Sequence, residues 1–240
     1  ASMGDGPAPL VRYDVASARA STVPDVLGWS RGAWSAVGIT GVAQARDQLL
    51  VAVNADRYVH AIAATTGAAT VVATLPEKGM ALSPGCGLVW ASSSKRALGL
   101  DPSTYQIRYE VRWPESVQPF PVGRPHFVCW DGALWVTAQR DNAVLIIEPT
   151  SGRVTGNVAV GNYPSAVVAG FGSLWVVDSG TLFMSEVDGH TVARIDPAAR
   201  AVTEVYEVGQ HPTDITVATS AVWVASEDAA GASQVVRIDP

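Results

Sequence analysis

Gly132-Ala-Leu-Trp-Val-Thr-Ala138 is the clearest copy of a phrase that this chain of 240 residues repeats. It returns from Cys86 to Ser92 (CGLVWAS), from Gly172 to Asp178 (GSLWVVD) and from Ser220 to Ser226 (SAVWVAS). A degenerate copy, DQLLVAV from Asp47 to Val53, carries Leu50 where the others carry Trp90, Trp135, Trp175 and Trp223. These markers stand 40, 45, 40 and 48 residues apart. A second phrase follows each marker, ending in Asp101-Pro102, Glu148-Pro149, Asp196-Pro197 and Asp239-Pro240, with a weak version from Ala61 to Gly67 after the first. Strand-like self-similarity at this period is the mark of a β-propeller. The spacing predicts an all-β chain of four-stranded antiparallel blades, five of them, with six as the alternative count. Each blade reads as a small apolar strand, a tight turn, the Trp-bearing strand, a polar loop, a third strand ending in the acid-Pro pair, and an outer strand.

Composition agrees. Hydrophobic residues make up 48% and charged residues 16% of the chain, as suits inner strands buried on both faces. The repeat predicts one domain over residues 1–240, with 1–9 as a loose amino-terminal segment and Ala1-Ser2 as a cloning remnant before Met3. The net charge of −6 favours solubility and argues against a phosphate-backbone ligand, so nucleic acid is not an expected partner. Apolar runs are broken by Gly, Pro and Ser well short of the roughly 20 residues of a membrane span. The two cysteines, Cys86 and Cys129, read as buried free thiols acting as small hydrophobes; a bridge between adjacent blades needs matched geometry.

At the amino end, Leu10–Ser17 reads as a strand whose RYDV resembles the RIDP phrase, followed by a possible outer strand in ASTVPDV. Leu27–Gly38 reads as a connecting loop that packs its own indoles. Five inner hairpins but six third-strand phrases result. Either the amino-terminal strand edges blade five, or the native chain continues past Pro240. The recurring acids Asp101, Glu148, Asp196 and Asp239 read as turn caps rather than catalytic groups, and the Trp markers as packing between blades.

In such a blade, the inlet loop before strand one and the join between strands two and three share one end, at the mouth of the central channel. The inlets VGRPH, VGNYP and VGQHP carry Arg124, His126, Asn162, Tyr163, Gln210 and His211. The joins add Asn54, Asp56, Arg57, Lys95 and Arg96, then Gln139, Arg140, Asp141, Asp178 and Glu227. His126 or His211 is the candidate general base, with Asp141 or Asp178 to orient it and Arg124 or Arg140 to stabilise developing negative charge. Asn54, Arg57, Gln139, Asp141, Asn162, Tyr163, Asp178, Gln210 and Glu227 are the expected ligand-binding residues. His60 and His190 look solvent-facing, and Leu182, Phe183 and Met184 form a candidate lid or partner contact. No zinc-protease, P-loop, dinucleotide or nucleophile-elbow motif is present.

The runs Val160–Gly180 and Thr191–Ser226 resemble the YVTN-type and streptogramin-lyase-like bacterial propellers, which repeat a VG-x-x-P step, a G-x-LWV strand and an RIDP strand. The likeness spans Arg124–Pro240 and is weaker over Ile39–Pro121. It implies a propeller whose relatives include antibiotic-inactivating lyases, sensor domains of receptor kinases and many propellers with no known activity. Streptogramin lyases use a channel histidine and a carboxylate-bound magnesium ion; no unique His and Glu pair of this chain aligns with theirs.

The expected function is recognition of a small molecule, glycan or peptide at the channel mouth. The alternatives are a lyase, cyclase or isomerase using a mouth histidine, and a sensor or scaffold module of a larger protein. No cofactor is indicated, with a divalent metal such as magnesium left open. The expected partners are a small-molecule or glycan ligand or a protein, and a cytoplasmic setting is slightly favoured over an extracytoplasmic one.

Overall fold

The computed structural model describes residues 11–14, 19–22, 39–45, 48–53, 56–63, 66, 68–117, 125–180 and 189–240. Among them, regular structure is strand apart from two 3-10 turns, Glu115–Val117 and Gln139–Asp141. No helix is long and apolar enough to cross a membrane.

The sheets follow the repeat. Blade one is β3 (Ile39–Ala45), β4 (Gln48–Val53), β5 (Tyr58–Ala63) and β6 (Ala69–Thr74). Blade two is β7 (Ala81–Gly85), β8 (Leu88–Ser92), β9 (Arg96–Leu100) and β10 (Ile107–Arg112). Blade three is β11 (Phe127–Trp130), β12 (Ala133–Ala138), β13 (Ala143–Glu148) and β14 (Arg153–Ala159). Blade four is β15 (Pro164–Gly170), β16 (Ser173–Asp178), β17 (Thr191–Asp196) and β18 (Ala201–Glu207). Blade five has three strands, β19 (Gln210–Val217), β20 (Val222–Glu227) and β21 (Ser233–Ile238). Five antiparallel sheets in chain order make this the five-bladed β-propeller class.

Among the described strands, the amino-terminal one is not hydrogen-bonded into the sheet of blade five. β1 (Val11–Asp14) instead pairs with β2 (Arg19–Thr22) as a separate hairpin. Its register repeats that of a third-to-fourth strand turn: Asp14 faces Arg19, just as Glu148 faces Arg153 and Asp196 faces Ala201. The loop read at Leu27–Gly38 and the cluster Leu182–Met184 lie outside the described residues.

Three inner hairpins turn on residue pairs with positive φ, Cys86-Gly87, Asp131-Gly132 and Phe171-Gly172, the mirror-image turn that matches strand twist. Both cysteines are disulfide-bonded rather than free. Cys86 sits exposed in its turn and Cys129 lies two residues before the matching turn, so neither is the buried thiol that sequence suggested.

The chain forms two compact units, residues 1–93 with 98–108, and residues 94–97 with 109–240. In the first, Leu50, Val59, Met80, Leu82, Leu98 and Leu100 share a core. Strand β3 comes so close to β7 that a Cβ on Gly41 would lie 2.0 Å from the Leu82 nitrogen. In the second, side chains alternate: Leu174 and Val176 pack with Trp135 of blade three, whereas Trp175 and Val177 pack with Val222 and Val224 of blade five. The markers thus join neighbouring sheets, and a buried Trp is worth about 3–5 kcal/mol against alanine. The Trp175 indole also donates to the Gly170 carbonyl at 3.1 Å. Three of the four acids cap turns as expected, while Asp239 pairs with Arg237: Asp101 accepts from the Ser103 and Thr104 amides, and Asp196 from those of Ala198 and Ala199. Glu148 accepts from the amides and hydroxyls of Thr150 and Ser151, which hold its pKa down to about 2.

Candidate functional site

Register places each inlet beside the second-to-third join of its own blade. Pro164 pairs with Asp178, Gln210 pairs with Glu227, and the Thr137 amide donates to the His126 carbonyl at 2.9 Å. In the second unit β11 packs on β15 and β15 on β19, so the inlets of blades three, four and five follow one another at a common end.

At blade four the join of blade three holds the inlet. Asn142 ends the 139–141 turn in the left-handed region, at φ 49°. Its carbonyl accepts the Val160 amide at 2.9 Å, and its side chain accepts the Tyr163 amide at 3.0 Å and donates to Asn162 Oδ1 at 3.2 Å. Beneath this clamp lies Asp178, 1% exposed. Thr191 Oγ1 donates to Asp178 Oδ2 at 3.2 Å, and the Gly161 amide also bonds the carboxyl. Asp178 Oδ1 is buried and has no partner among the described residues. Burial pushes its pKa up to about 7, against the opposing pull of Thr191 and Gly161. Gly161 is required here: a Cβ would stand 2.6 Å from Asp178 Oδ2.

At blade five His211 and Glu227 form an exposed pair, with Nδ1 3.2 Å from Oε2. Behind them Ser226 Oγ donates to the Val208 carbonyl at 2.5 Å, and the Gln234 amide reaches Ser226 Oγ and the Glu227 carbonyl, each at 3.2 Å. Gln210 is half-buried beside them. Tyr163 and His211 occupy matching places before a proline, with φ 56° and 43°.

At blade three the His126 main chain is bonded on both sides to Thr137, whose hydroxyl lies 3.2 Å from the His126 amide nitrogen and carbonyl oxygen. Its ring is exposed in area yet crowded by protein, and this desolvation lowers its pKa while Asp214 pulls it up. The carboxylates beside the two histidines are therefore Asp214 and Glu227, rather than the Asp141 or Asp178 expected from sequence. Gln139 is half-buried with its Oε1 unpartnered, while Arg140 and Asp141 are exposed on the same turn. Lys95 is exposed, and Arg96 donates to Glu110 at 2.8 Å.

In the first unit Asp56 joins His60, Oδ2 to Nε2 at 3.2 Å, and accepts the Tyr58 amide at 2.8 Å; Arg57 is exposed. His60 is 8% exposed and His190 is half-buried with a buried Nδ1, so neither faces solvent as sequence suggested. The reason is register: each histidine lies at the start of a third strand, which has strands on both sides. Arg124 and Asn54 lie outside the described residues. Sequence reasoning missed Asn142 and Thr191 as site residues. Only the acid three places after a marker, where other blades carry Val53, Ser93, Ala138 and Ser226, signals the special character of blade four. Among the described residues, no three His, Cys, Asp or Glu side chains gather as a metal site.

No family model and no curated protein matches the chain. Solved structures do. A Bacteroides caccae protein of unknown function shares 13% identity with a TM-score of 0.57, covering 88% of this chain and 81% of that one. Hydrazine synthase of Kuenenia stuttgartiensis shares 14% with a TM-score of 0.57, covering 88% and 70%. A chain of the nidogen/laminin complex shares 15% with a TM-score of 0.56, covering 85% and 81%. At such identities the likeness is one of fold, and it is to β-propellers that this chain is similar.

Proposed function

We propose that the protein binds a small molecule, glycan or peptide segment at the inlet end of blades three to five. The observation that carries this reading is the left-handed backbone of Tyr163 and His211. A residue before proline prefers extended backbone, and a bulky side chain at positive φ costs about 1–3 kcal/mol. Two blades retain that strain at the same place, and in blade five the ring so held lies beside the Glu227 carboxylate. Glycine would serve a purely structural turn better. Tyr163→Gly and His211→Gly are therefore expected to melt no earlier than wild type, yet to weaken a ligand found by thermal-shift screening of glycans, metabolites and peptides by about tenfold. Unchanged affinity in both variants would sink this reading.

A second reading has one observation of its own. The Glu227 carboxylate beside His211 Nδ1 is the arrangement that orients an imidazole as a general base, as a lyase, cyclase or isomerase requires. Turnover detected by mass spectrometry and abolished in His211→Gln would move the function to catalysis. Kinship with YVTN-type and streptogramin-lyase-like propellers belongs to this proposal, resting on the repeated strand phrases. The disulfide-bonded cysteines favour an extracytoplasmic setting over the cytoplasmic one read from sequence.

A further inference from the structure

Buried polar atoms without partners are uncommon in folded proteins, and each calls for a cause. Among the described residues of the second unit, four belong to strand ends and turns on the inlet side of blades three and four: Gln139 Oε1, Ser165 Oγ, Asp178 Oδ1 and His190 Nδ1. Three lie on adjacent strand ends. Ser165 is the bulged residue between Pro164 and Ala166, whose partners are Asp178 and Val177; His190 directly precedes Thr191, which pairs with Asp178. Gln139 opens the turn whose Asn142 clamps the inlet.

The other blades act as an internal control. Three residues past the marker, blades one, two, three and five carry Val53, Ser93, Ala138 and Ser226. Ser226 occupies that place with its hydroxyl bonded to the Val208 carbonyl. Only blade four buries an acid there, and leaves one of its oxygens bare. The β-propeller architecture does not demand it.

Chemistry narrows what the place would take. All four atoms can accept a hydrogen bond, and Asp178 brings a negative charge with no cationic side chain among the influences on it. Among the described residues, Asp178 belongs to no group of three His, Cys, Asp or Glu side chains that could hold a divalent metal. A primary ammonium group offers three donors and one positive charge, which is the complement of the set. We infer that the inlet end of blade four, through Asp178, Ser165, His190 and Gln139, recognises the primary ammonium head of a small amine. This deepens the binding function proposed above and rests on it.

Only the ionised carboxyl would hold the ammonium. Because burial pushes the Asp178 pKa up to about 7, amine affinity is expected to rise as pH climbs through that value, with release of a proton. Titratable side chains on the surrounding elements are Arg140 and Asp141 in the 139–141 turn, Tyr163 in the inlet, His190 beside Thr191, and Glu207 across from Thr191 on β18. At Asp178 burial raises the pKa, and the bonds from Thr191 and Gly161 lower it.

The test is calorimetric titration of the whole protein with methylammonium, ethanolamine and putrescine at about pH 6 and about pH 8, with tetramethylammonium and potassium chloride as controls. The expected result is binding of the primary amines that tightens at the higher pH, is weakened by about tenfold or more in Asp178→Asn, and is not shared by tetramethylammonium. Gln139→Leu is expected to weaken the same amines while keeping the pH trend. Equal binding of potassium or tetramethylammonium, or amine affinity indifferent to Asp178→Asn, would overturn the inference. So would the lack of any amine binding; if ligands dependent on Tyr163 still bound, the broader function would survive that failure. If they did not bind either, both would fall.

Discussion

Blades four and five begin with the same phrase and finish it differently. Both inlets carry a glycine two residues before a ring held at positive φ, and both fold against the end of their own marker strand. In blade five the space behind the inlet is filled by Ser226 and Gln234, whose polar atoms bond one another and the main chain. In blade four the corresponding place holds Asp178, buried with a bare oxygen, and the inlet is held from outside by Asn142 of blade three. One blade is closed by its own side chains, and the other borrows a clamp and keeps an unmet hydrogen-bonding group. A repeat protein repeats its packing; departures from the repeat are where function is to be sought.

The largest effect that would sharpen this contrast is pH dependence. Burial keeps the Asp178 pKa up at about 7 in the folded chain, against about 3.9 for an ordinary aspartate. Between those values the folded state binds more protons, so stability falls as pH rises, by up to about 1.4 kcal/mol per pH unit, and levels off above the folded pKa. Urea unfolding of Asp178→Asn should lose most of that slope. A slope that survives the substitution would remove the distinction between the blades.

Next come the two glycines. Alanine at Gly209 meets the Glu227 carbonyl at 2.5 Å and must adopt φ 88°. Alanine at Gly161 meets only the Asp178 side chain, at 2.6 Å. Gly209→Ala is expected to cost about 3 kcal/mol and Gly161→Ala about 1–2 kcal/mol. The second cost should shrink in an Asp178→Ala background, as a double-mutant cycle would read. No rescue would mean that Gly161 is required for another reason.

The smallest effect belongs to the clamp. Asn142→Gly keeps the left-handed backbone but removes the bonds to Asn162 and Tyr163, for about 1 kcal/mol. Hydrogen exchange should quicken at the Tyr163 amide and stay unchanged in the blade-five inlet. Equal change in both blades would refute the idea that only blade four borrows its clamp.

Local pattern determined the blades. A Trp every 40 to 48 residues, alternating strands and acid-Pro turns are short-range signals, and the chain folds them as written because hairpins and turn caps are decided by near neighbours. Loop placement alone points to the inlet residues Asn162, Tyr163, Gln210 and His211 and to the strand-end acids Asp178 and Glu227, but not to the burial of Asp178. Nor does it show which of them act together. The pairing of His211 with Glu227, the burial of His60 and Asp178, the bonding of both cysteines and the clamp by Asn142 join residues that sequence spacing leaves unrelated. Only tertiary structure decides those, because burial and partnership depend on what the neighbouring strand or sheet places opposite each side chain.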